Sequence, residues 1–420
     1  MTGKLLVYFL CLVAVILSVG AASHTGLATW ASLAASSTAF VAMALNQFLA
    51  TRPRFLEALF GGLDKMYHLH RQLGILALAL ILVHYFVTPD FQGKQLTAGL
   101  NSLAKEVGKY SFYAFVVLLL VSLVKRIPFT KISVELPYNL WRFTHRFMGV
   151  FFVAIAFHQF FIKRPFDGTA LLANYLNLFA AIGIASFLYT QLVAFLKRRR
   201  YEITAVEKLP AATVIEAKPV GRSIKARPGQ FAFLSFRKVG LREPHPFTLA
   251  GLGSDGTVRF AIKPLGDFTA LLRERAAVGD KIMVEGGYGR FVHSRGGEKQ
   301  IWLAGGIGIT PFLAMAESLL EGEKRKIHLV HCVRDGSEAV RSSELEEAAR
   351  KVPGFSFQLH DSAVAGRIDS AKLEQALPFE VNGSELWFCG PPPLREAIVS
   401  GFKKAGRKLA GIEFERFEFR

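Results

Sequence analysis

The sequence predicts a multidomain membrane protein: a six-helix transmembrane bundle, then an antiparallel β-barrel, then an α/β domain. Three observations carry that prediction. Up to about residue 197 the 420-residue chain is built of long apolar runs, and beyond it the composition becomes an ordinary mix rich in Lys, Glu, Gly and Pro. From about 201 the apolar residues alternate, as in Y-E-I-T-A-V at 201–206 and Q-F-A-F-L-S-F at 230–236, which is the period of a strand. From about 299 a strand-like run, a Gly-rich turn and a helical run follow one another and then recur, the order of a mostly parallel sheet with helices on its faces.

Six runs are long and apolar enough to cross a bilayer, at about 4–22, 28–50, 67–88, 110–124, 145–162 and 173–196. The first has some marks of a secretory leader (Lys4, an apolar core, then Gly20-Ala21-Ala22), but its length and the spans that follow favour a membrane helix. The fourth is short for a span, with Tyr110, Phe112 and Tyr113 suited to an interface. Lys and Arg gather between spans two and three (Arg52, Arg54, Lys65, Arg71), between four and five (Lys125, Arg126, Lys131, Arg142, Arg146) and after six (Lys197, Arg198, Arg199, Arg200). The first loop has none, although Lys94, Lys105, Lys109, Lys163 and Arg164 blur the asymmetry. Basic loops stay inside, so the amino terminus and the whole carboxyl half are expected in the cytoplasm. These topology signals absorb much of the net charge of +18, and no nucleic-acid partner is expected. The three cysteines, Cys11, Cys332 and Cys389, form no metal-spaced pair and no disulfide framework.

Spans three and five carry one pattern twice. H-R-Q-L-G-I-L-A-L-A-L-I-L-V-H runs from 70 to 84, and H-R-F-M-G-V-F-F-V-A-I-A-F-H from 145 to 158. An unpaired polar ring in lipid is costly, so four histidines in membrane-length runs mark a functional site. Neutral imidazole is a good axial ligand for haem iron, which makes bis-histidine haem ligation the expectation. A lone histidine of this kind would be read as packing; two matched pairs would not. His70 and His84 stand fourteen positions apart, roughly 21 Å along a helix and within about 40° of one face. His145 and His158 stand thirteen apart, about 140° out of line on an ideal helix, so a local irregularity such as a π-bulge is expected there. Both spans enter from the same side, which pairs His70 with His145 at the inner end and His84 with His158 at the outer end. Arg71 and Arg146 could meet haem propionates or serve as interfacial anchors. His68 and His24 read as structural or solvated. No strong polar cluster between 28 and 45 marks an oxygen-reduction site.

In the soluble half, His245-Pro246-Phe247-Thr248 stands at a strand start, where an aromatic followed by a hydroxyl can stack on a flavin and hydrogen-bond its edge. Lys263-Pro264-Leu265-Gly266-Asp267-Phe268-Thr269 leads into a helix whose amino terminus suits a pyrophosphate. Gly305-Gly306-Ile307-Gly308-Ile309-Thr310-Pro311 follows a strand and opens a helix, again a phosphate setting, though without the G-x-G-x-x-G spacing. Strands then follow at 327–333 and 355–360, helices at 343–350 and 371–376, and a last strand, E-L-W-F, runs into Cys389-Gly390-Pro391-Pro392. Ligands bind beyond the carboxyl ends of such strands. His328 and His331 are expected to serve packing.

These motifs, in this order, resemble those of the prokaryotic NADPH oxidase and ferric reductase-like family: a ferric-reductase-like transmembrane haem domain fused to a ferredoxin–NADP reductase module. H-P-F-T-L at 245–249 resembles its FAD motif, and G-G-I-G-I-T-P at 305–311 and C-G-P-P at 389–392 its nicotinamide-binding turns. The resemblance covers essentially the whole chain. It implies three domains: a six-helix transmembrane bis-haem domain over 1–200, an antiparallel β-barrel FAD domain over 201–296 and an α/β nucleotide-binding domain for NAD(P)H over 297–420. It implies two b-type haems, FAD and NADPH, with NADH as the alternative. The haem ligands would be His70, His84, His145 and His158. His245, Pro246, Phe247 and Thr248 would contact FAD, with Lys263, Gly266 and Thr269 near its phosphates. Gly305, Gly306, Gly308, Thr310 and Pro311 would hold the dinucleotide, with Cys389, Gly390 and Pro391 beside the nicotinamide. Phe417, with Phe419 second, would cover the flavin, so that Phe417, Cys389 and Thr248 surround the hydride transfer. Arg334 would take the 2′-phosphate of NADPH or remain solvated. The implied activity is that of an NAD(P)H oxidase or ferric reductase-type flavohaem oxidoreductase. Electrons would go from cytoplasmic NADPH through FAD and the haems to an acceptor on the far side. That acceptor would be O₂, giving superoxide; a ferric or other metal chelate, or a periplasmic partner protein, are the alternatives. The expected surroundings are membrane lipid in a bacterial cytoplasmic (inner) membrane, with the soluble domains in the cytoplasm. The absence of an EF-hand pattern implies no calcium control. One departure stands out: Gly287 occupies a turn position where the family usually has Pro.

Overall fold

The computed structural model describes residues 2–22, 26–87, 100–123, 136, 138–162 and 170–415. His24, Lys94, Lys125, Arg126, Lys131, Lys163, Arg164, Phe417 and Phe419 lie outside them. The chain divides into two compact units, Met1–Phe195 and a second that begins at Leu196.

The first unit is helical: α1 (Thr2–Ala22), α2 (Leu27–Ala50), a short α3 (Glu57–Phe60), α4 (Leu63–Phe86), α5 (Leu100–Leu123), α6 (Tyr138–His145), α7 (Phe147–Phe161) and α8 (Ala170–Leu192). Among the described residues, six helical stretches are long and apolar enough to cross a membrane, with α6 and α7 together making the fifth. Helix α2 is the most enclosed, and Ala34, Ala35, Ala39, Phe40, Val41, Ala42 and Ala44 are all buried. Small side chains let α1, α4 and α8 pack closely around it, which is how helices associate where water gives no hydrophobic drive. Gly183 of α8 shows the fit: a Cβ there would lie 3.2 Å from the Ala44 Cα and would run into the Phe152 ring.

Two expectations need correction. The fourth span is not short. Helix α5 begins ten residues before the apolar run, at Leu100, because its charged first half still buries Ala104. The fifth span does have an irregularity, but not a π-bulge. The helix breaks at Arg146, where Arg146 N–H donates to the Phe143 carbonyl and Gly149 N–H to the Arg146 carbonyl, both at 3.3 Å. These are i→i+3 bonds, which wind the chain by about 120° per residue instead of about 100°. The extra rotation runs in the direction the thirteen-residue spacing needs.

The second unit holds two sheets. Strands β1 (Arg199–Lys208), β2 (Thr213–Pro219), β3 (Phe231–Phe236), β4 (His245–Leu252), β5 (Val258–Ile262) and β6 (Lys281–Tyr288) close an antiparallel barrel in the order β1-β2-β5-β4-β3-β6, with α9 (Asp267–Arg275) between β5 and β6. Ile203, Ile215, Leu234, Leu249, Phe260 and Ile282 fill its interior. In β6, a Cβ on Gly287 would sit 2.8 Å from the Ala226 Cα and 2.5 Å from the Gln230 Oε1, so this position has no room for a side chain.

The second sheet is built from β7 (Lys299–Gly305), β8 (Lys326–Val333), β9 (Phe355–Asp361), β10 (Glu385–Cys389) and β11 (Gly411–Phe414), in the order β11-β10-β7-β8-β9 and all parallel. Helices α10 (Thr310–Glu317), α11 (Ser342–Lys351), α12 (Ser362–Ala365), α13 (Ser370–Ala376) and α14 (Pro392–Lys404) connect them. Alternate residues of β7 enter opposite layers: Trp302 and Ala304 join one core cluster, Ile301 and Leu303 the other. Such a strand is apolar on both faces, as a central parallel strand must be. E-L-W-F is not the last strand. Gly411–Phe414 adds β11 at the edge beside β10, a stretch too short and too charged for its periodicity to show.

Candidate functional site

The order of the parallel sheet reverses at β7, which leaves β8 on one side and β10 on the other. A crevice opens beyond the carboxyl ends of the strands at such a point. Both Gly-rich turns lie there, and they touch backbone to backbone. A Cβ on Gly305 would stand 2.7 Å from the Pro391 Cδ, one on Gly390 2.9 Å from the Gly305 nitrogen, and one on Gly308 would run into the Cys389 carbonyl. Gly306 is in the left-handed region at φ 54°, which favours glycine. Thr310 is buried and begins α10, with Pro311 at the next position. The sequence-predicted residues 305–311 and 389–391 are therefore one site.

His331 is buried in β8, as expected, and its ring also reaches the first of these turns. Its Nε2 lies 2.9 Å from the Gly306 carbonyl. His328 instead meets Ser356 Oγ at 2.7 Å within the sheet.

Cys389 is buried, and burial together with the neighbouring Glu415 carboxylate pushes its thiol pKa well up, so the sulfur is a neutral thiol. Glu415 reaches the same place from the last described residue: a Cβ on Gly289 would run into its Oε1 and would lie 3.2 Å from the Phe231 ring. Phe231 pairs with Thr248 in the β3–β4 ladder. Thr248 and Cys389 are thus linked through Phe231, Gly289 and Glu415. Sequence reasoning missed Glu415; the signal was an acidic residue two positions before the aromatic chosen from the closing run. Phe417 itself lies outside the described residues.

The barrel supplies a second group. The His245 ring stacks on Phe268 at 3.8 Å and 30°, and Phe247 follows at 6.2 Å and 26°. Pro246 faces Phe233 across the ladder. Thr269 Oγ1 accepts from Leu265 N–H at 2.8 Å and Gly266 N–H at 3.0 Å, fixing the entry to α9. Gly266 has open space where a Cβ would stand, and Lys263 is half-buried at the strand end. Arg334 is exposed just past β8. The carboxylates beside it are committed to the loop: Asp335 accepts from Ser337 N–H at 2.8 Å and Asp361 from Gly336 N–H at 2.8 Å.

In the helical unit the four histidines fall into the two expected pairs. The His70 and His145 rings stand 6.2 Å apart, centre to centre, at 61°. His84 lies on α4 and His158 on α7, toward the other end of the same two spans. Each ring is held by a neighbouring group. His70 meets the Asn46 backbone, and His145 Nδ1 meets Ser122 Oγ at 3.4 Å beneath the stacked Trp141. His84 Nδ1 lies 2.9 Å from Ser32 Oγ and 3.2 Å from the Ser32 carbonyl, and His158 Nδ1 lies 2.8 Å from the Ala104 carbonyl. A carbonyl only accepts, so His84 and His158 carry the proton on Nδ1 and present a bare Nε2, the form a metal takes. In α2, Thr29, Ser32, Ser37 and Thr38 are all buried. His68 is exposed and bonded by Gln72 at 3.2 Å, a structural role. Arg71 and Arg146 are exposed.

The chain thus carries helices long and apolar enough to span a membrane, a closed antiparallel barrel and a five-stranded parallel sheet. Residues 35–156 match the family model described as ferric reductase like transmembrane component, 206–298 an FAD-binding domain and 302–400 an oxidoreductase NAD-binding domain. That succession is the ferric reductase-like and NADPH oxidase architecture, and the protein is a multi-pass membrane protein of that build. Among curated relatives, the toluate 1,2-dioxygenase electron transfer component of Pseudomonas putida is 32% identical over 215 residues, 47% of this chain and 63% of that protein. The NADH–cytochrome b5 reductase 1 of Arabidopsis thaliana is 29% identical over 218 residues, 48% of this chain and 74% of that protein. The chain spans less than two thirds of the length of its dioxygenase-component relative. Among solved structures, the flavohemoglobin of Malassezia yamatoensis with bound FAD and heme is similar at a TM-score of 0.51 and 18% identity, over 91% of this chain and 98% of that one, a likeness of fold.

Proposed function

We propose that this protein carries electrons from NADPH, through FAD and two b-type haems, across a bacterial cytoplasmic membrane to O₂, giving superoxide. The observation that carries the reading is the pair of histidine pairs in the helical unit, on one chain with a flavin and nicotinamide module. The residues fit haem. Two histidines that shared one iron would have to bring their rings near each other and leave a bare nitrogen on each. The 6.2 Å between His70 and His145 supports that, as do the bare Nε2 atoms of His84 and His158. When bound, FAD supplies the passage from two-electron to one-electron chemistry and the haems supply one-electron conduction.

The chain's own residues do the positioning. His70, His84, His145 and His158 would ligate iron. His245, Pro246, Phe247 and Thr248 would seat the flavin ring, and Lys263, Gly266 and Thr269 its phosphates. The turns at 305–311 and 389–391 would bring the nicotinamide to the flavin. Thr248, Cys389 and Glu415 would line the place where hydride leaves, and Phe417 would cover it. Arg334 would recognise the 2′-phosphate, favouring NADPH over NADH. The basic inner loops support a cytoplasmic place for the soluble unit. A ferric chelate is the second acceptor, supported by the match over residues 35–156.

The test is a reduced-minus-oxidised spectrum of the purified protein with haem and FAD quantified. Two b-type haems and one FAD per chain, reduced by NADPH, are expected. A folded, flavin-loaded protein without haem would return the four histidines to packing. Superoxide-dependent and ferric-chelate-dependent turnover, measured side by side, then separate the acceptors.

A further inference from the structure

His331 sits near the end of β8, fully buried in the middle of the parallel sheet, opposite Ala304 of β7. A hydrocarbon would fill that place without a polar penalty. The ring instead brings two nitrogens. Nδ1 is buried without a hydrogen-bond partner among the described residues, and Nε2 lies 2.9 Å from the Gly306 carbonyl. Because that carbonyl can only accept, the proton must sit on Nε2. Burial lowers the pKa of the ring to about 4, so it stays neutral and keeps this tautomer across the physiological range. A buried, half-satisfied ring whose one donor is spent on a single backbone carbonyl is a costly way to pack a sheet.

The carbonyl it holds is the informative part. Gly306 is the left-handed residue that turns the chain from β7 into the short 3₁₀ turn 306–309 and on to α10. The peptide unit is planar and trans, so its C=O and the following N–H point in opposite directions. Holding the Gly306 carbonyl down toward β8 aims the Ile307 N–H away from the sheet, toward the crevice where the 305–311 and 389–391 turns meet. An outward backbone N–H at the entry to a helix is a donor for phosphate oxygen.

We propose that His331 is a positioning residue for the dinucleotide: its Nε2–H locks the Gly306–Ile307 peptide so that the Ile307 N–H meets the pyrophosphate. The inference rests on the nicotinamide reading of this crevice. It goes beyond that reading by assigning a buried side chain, out of reach of the ligand, a share in ligand affinity.

The experiment uses the full-length, FAD-loaded protein in detergent. Three variants are compared with the parent: His331→Leu, which removes the donor; His331→Gln, whose amide N–H can stand in for Nε2; and His331→Asn, which is polar but too short to reach Gly306. The readouts are KM and kcat for NADPH, the Kd of NADP⁺ from its perturbation of the flavin spectrum, and the FAD content. His331→Leu and His331→Asn are expected to raise KM and Kd about tenfold, the loss of one hydrogen bond, with kcat at saturating NADPH and FAD content kept. His331→Gln is expected to stay within about twofold of the parent. Should His331→Leu fail to fold, the contrast between Gln and Asn decides. Equal losses in Gln and Asn, or unchanged KM and Kd in the variants without the donor, overturn the proposal. A parent that neither NADPH nor NADH reduces overturns the nicotinamide reading and this proposal together, which sets that failure apart.

Discussion

Arg259 Nη1 and Glu344 Oε2 stand 2.8 Å apart, joining strand β5 of the barrel to helix α11 of the parallel sheet. Arg259 also meets Glu216 of β2 at 2.9 Å and Glu317, the last residue of α10, at 4.0 Å. Glu344 is shared with Arg341, which in turn pairs with Glu207 of β1. Gly251 of β4 makes room for this: a Cβ there would lie 2.9 Å from Glu317 Oε2 and 3.2 Å from the Arg259 Cβ. One guanidinium therefore draws carboxylates from both halves of the soluble unit to a single half-buried point. Helix α10 lies between that point and the Gly-rich turn that begins it.

Removing the guanidinium should loosen the two halves. Arg259→Met keeps the stem and abolishes the charge, leaving Glu216, Glu317 and Glu344 to repel one another. The expected loss is on the order of 2 kcal/mol, above an exposed ion pair and below a fully buried one. It is measured as a lower thermal midpoint of the soluble unit in the full-length protein. Raising salt should lower the parent's midpoint toward the variant's, because the parent alone has an attractive network to screen. A variant with the parent's midpoint would show the network to be ornamental.

Glu317 gives a pH signature of the same network. Burial raises its carboxyl pKa above the ordinary 4.5, and the neighbouring Glu344 and Glu216 add to this while Arg259 opposes it. The sign is that of an acid whose folded pKa exceeds its unfolded one. Across that window the folded state binds more protons, so stability falls as pH rises from about 4.5 through the raised folded value. Glu317→Gln should remove this component, so that the variant loses less stability than the parent between pH 4.5 and neutrality. Denaturant midpoints at stepped pH check it, and identical pH slopes would refute it.

Much of this was legible in the residues, for identifiable reasons. The six spans, the barrel and the parallel sheet announce themselves by period, and the crevice residues at 305–311 and 389–391 by glycines that only a backbone-to-backbone approach requires. What stayed hidden depends on distant partners. The 3₁₀ break at Arg146 was foreseen only as a need for irregularity, because spacing says that a helix must deviate but not how. Strand β11 exists because Leu386 and Phe388 of β10 offer it a partner, not because G-I-E-F has a strand's periodicity. Glu415 carries no signal of its own in the sequence, because the fold alone brings it to Cys389. The bond from His331 to the Gly306 carbonyl has no sequence signal, because its acceptor lies 25 residues away.

The supports of the outer histidine pair differ in kind, and that difference is testable. His158 is held by backbone: its Nδ1 donates to the Ala104 carbonyl, and Gly108, one turn along α5, lies flat against the ring. A Cβ at Gly108 would stand 2.7 Å from the His158 Cε1 and 2.8 Å from its Cγ, so the ring must swing away. His84 is held partly by a side chain, Ser32 Oγ at 2.9 Å, and partly by the Ser32 carbonyl at 3.2 Å, which no substitution of Ser32 deletes. Under the haem assignment, Gly108→Ala should halve the haem content while leaving the inner haem. It should do so even though alanine is the better helix former by about 1 kcal/mol. Ser32→Ala should keep both haems but weaken retention of the outer one by about tenfold or more, the usual consequence of losing a hydrogen bond behind a ligating histidine. Ser36→Ala serves as the matched control, since the Ser36 hydroxyl donates to the Leu33 carbonyl of its own helix. Haem per chain before and after a challenge with apomyoglobin reads all three. Full haem retention in Gly108→Ala would show that His158 is not ligated in the orientation seen here.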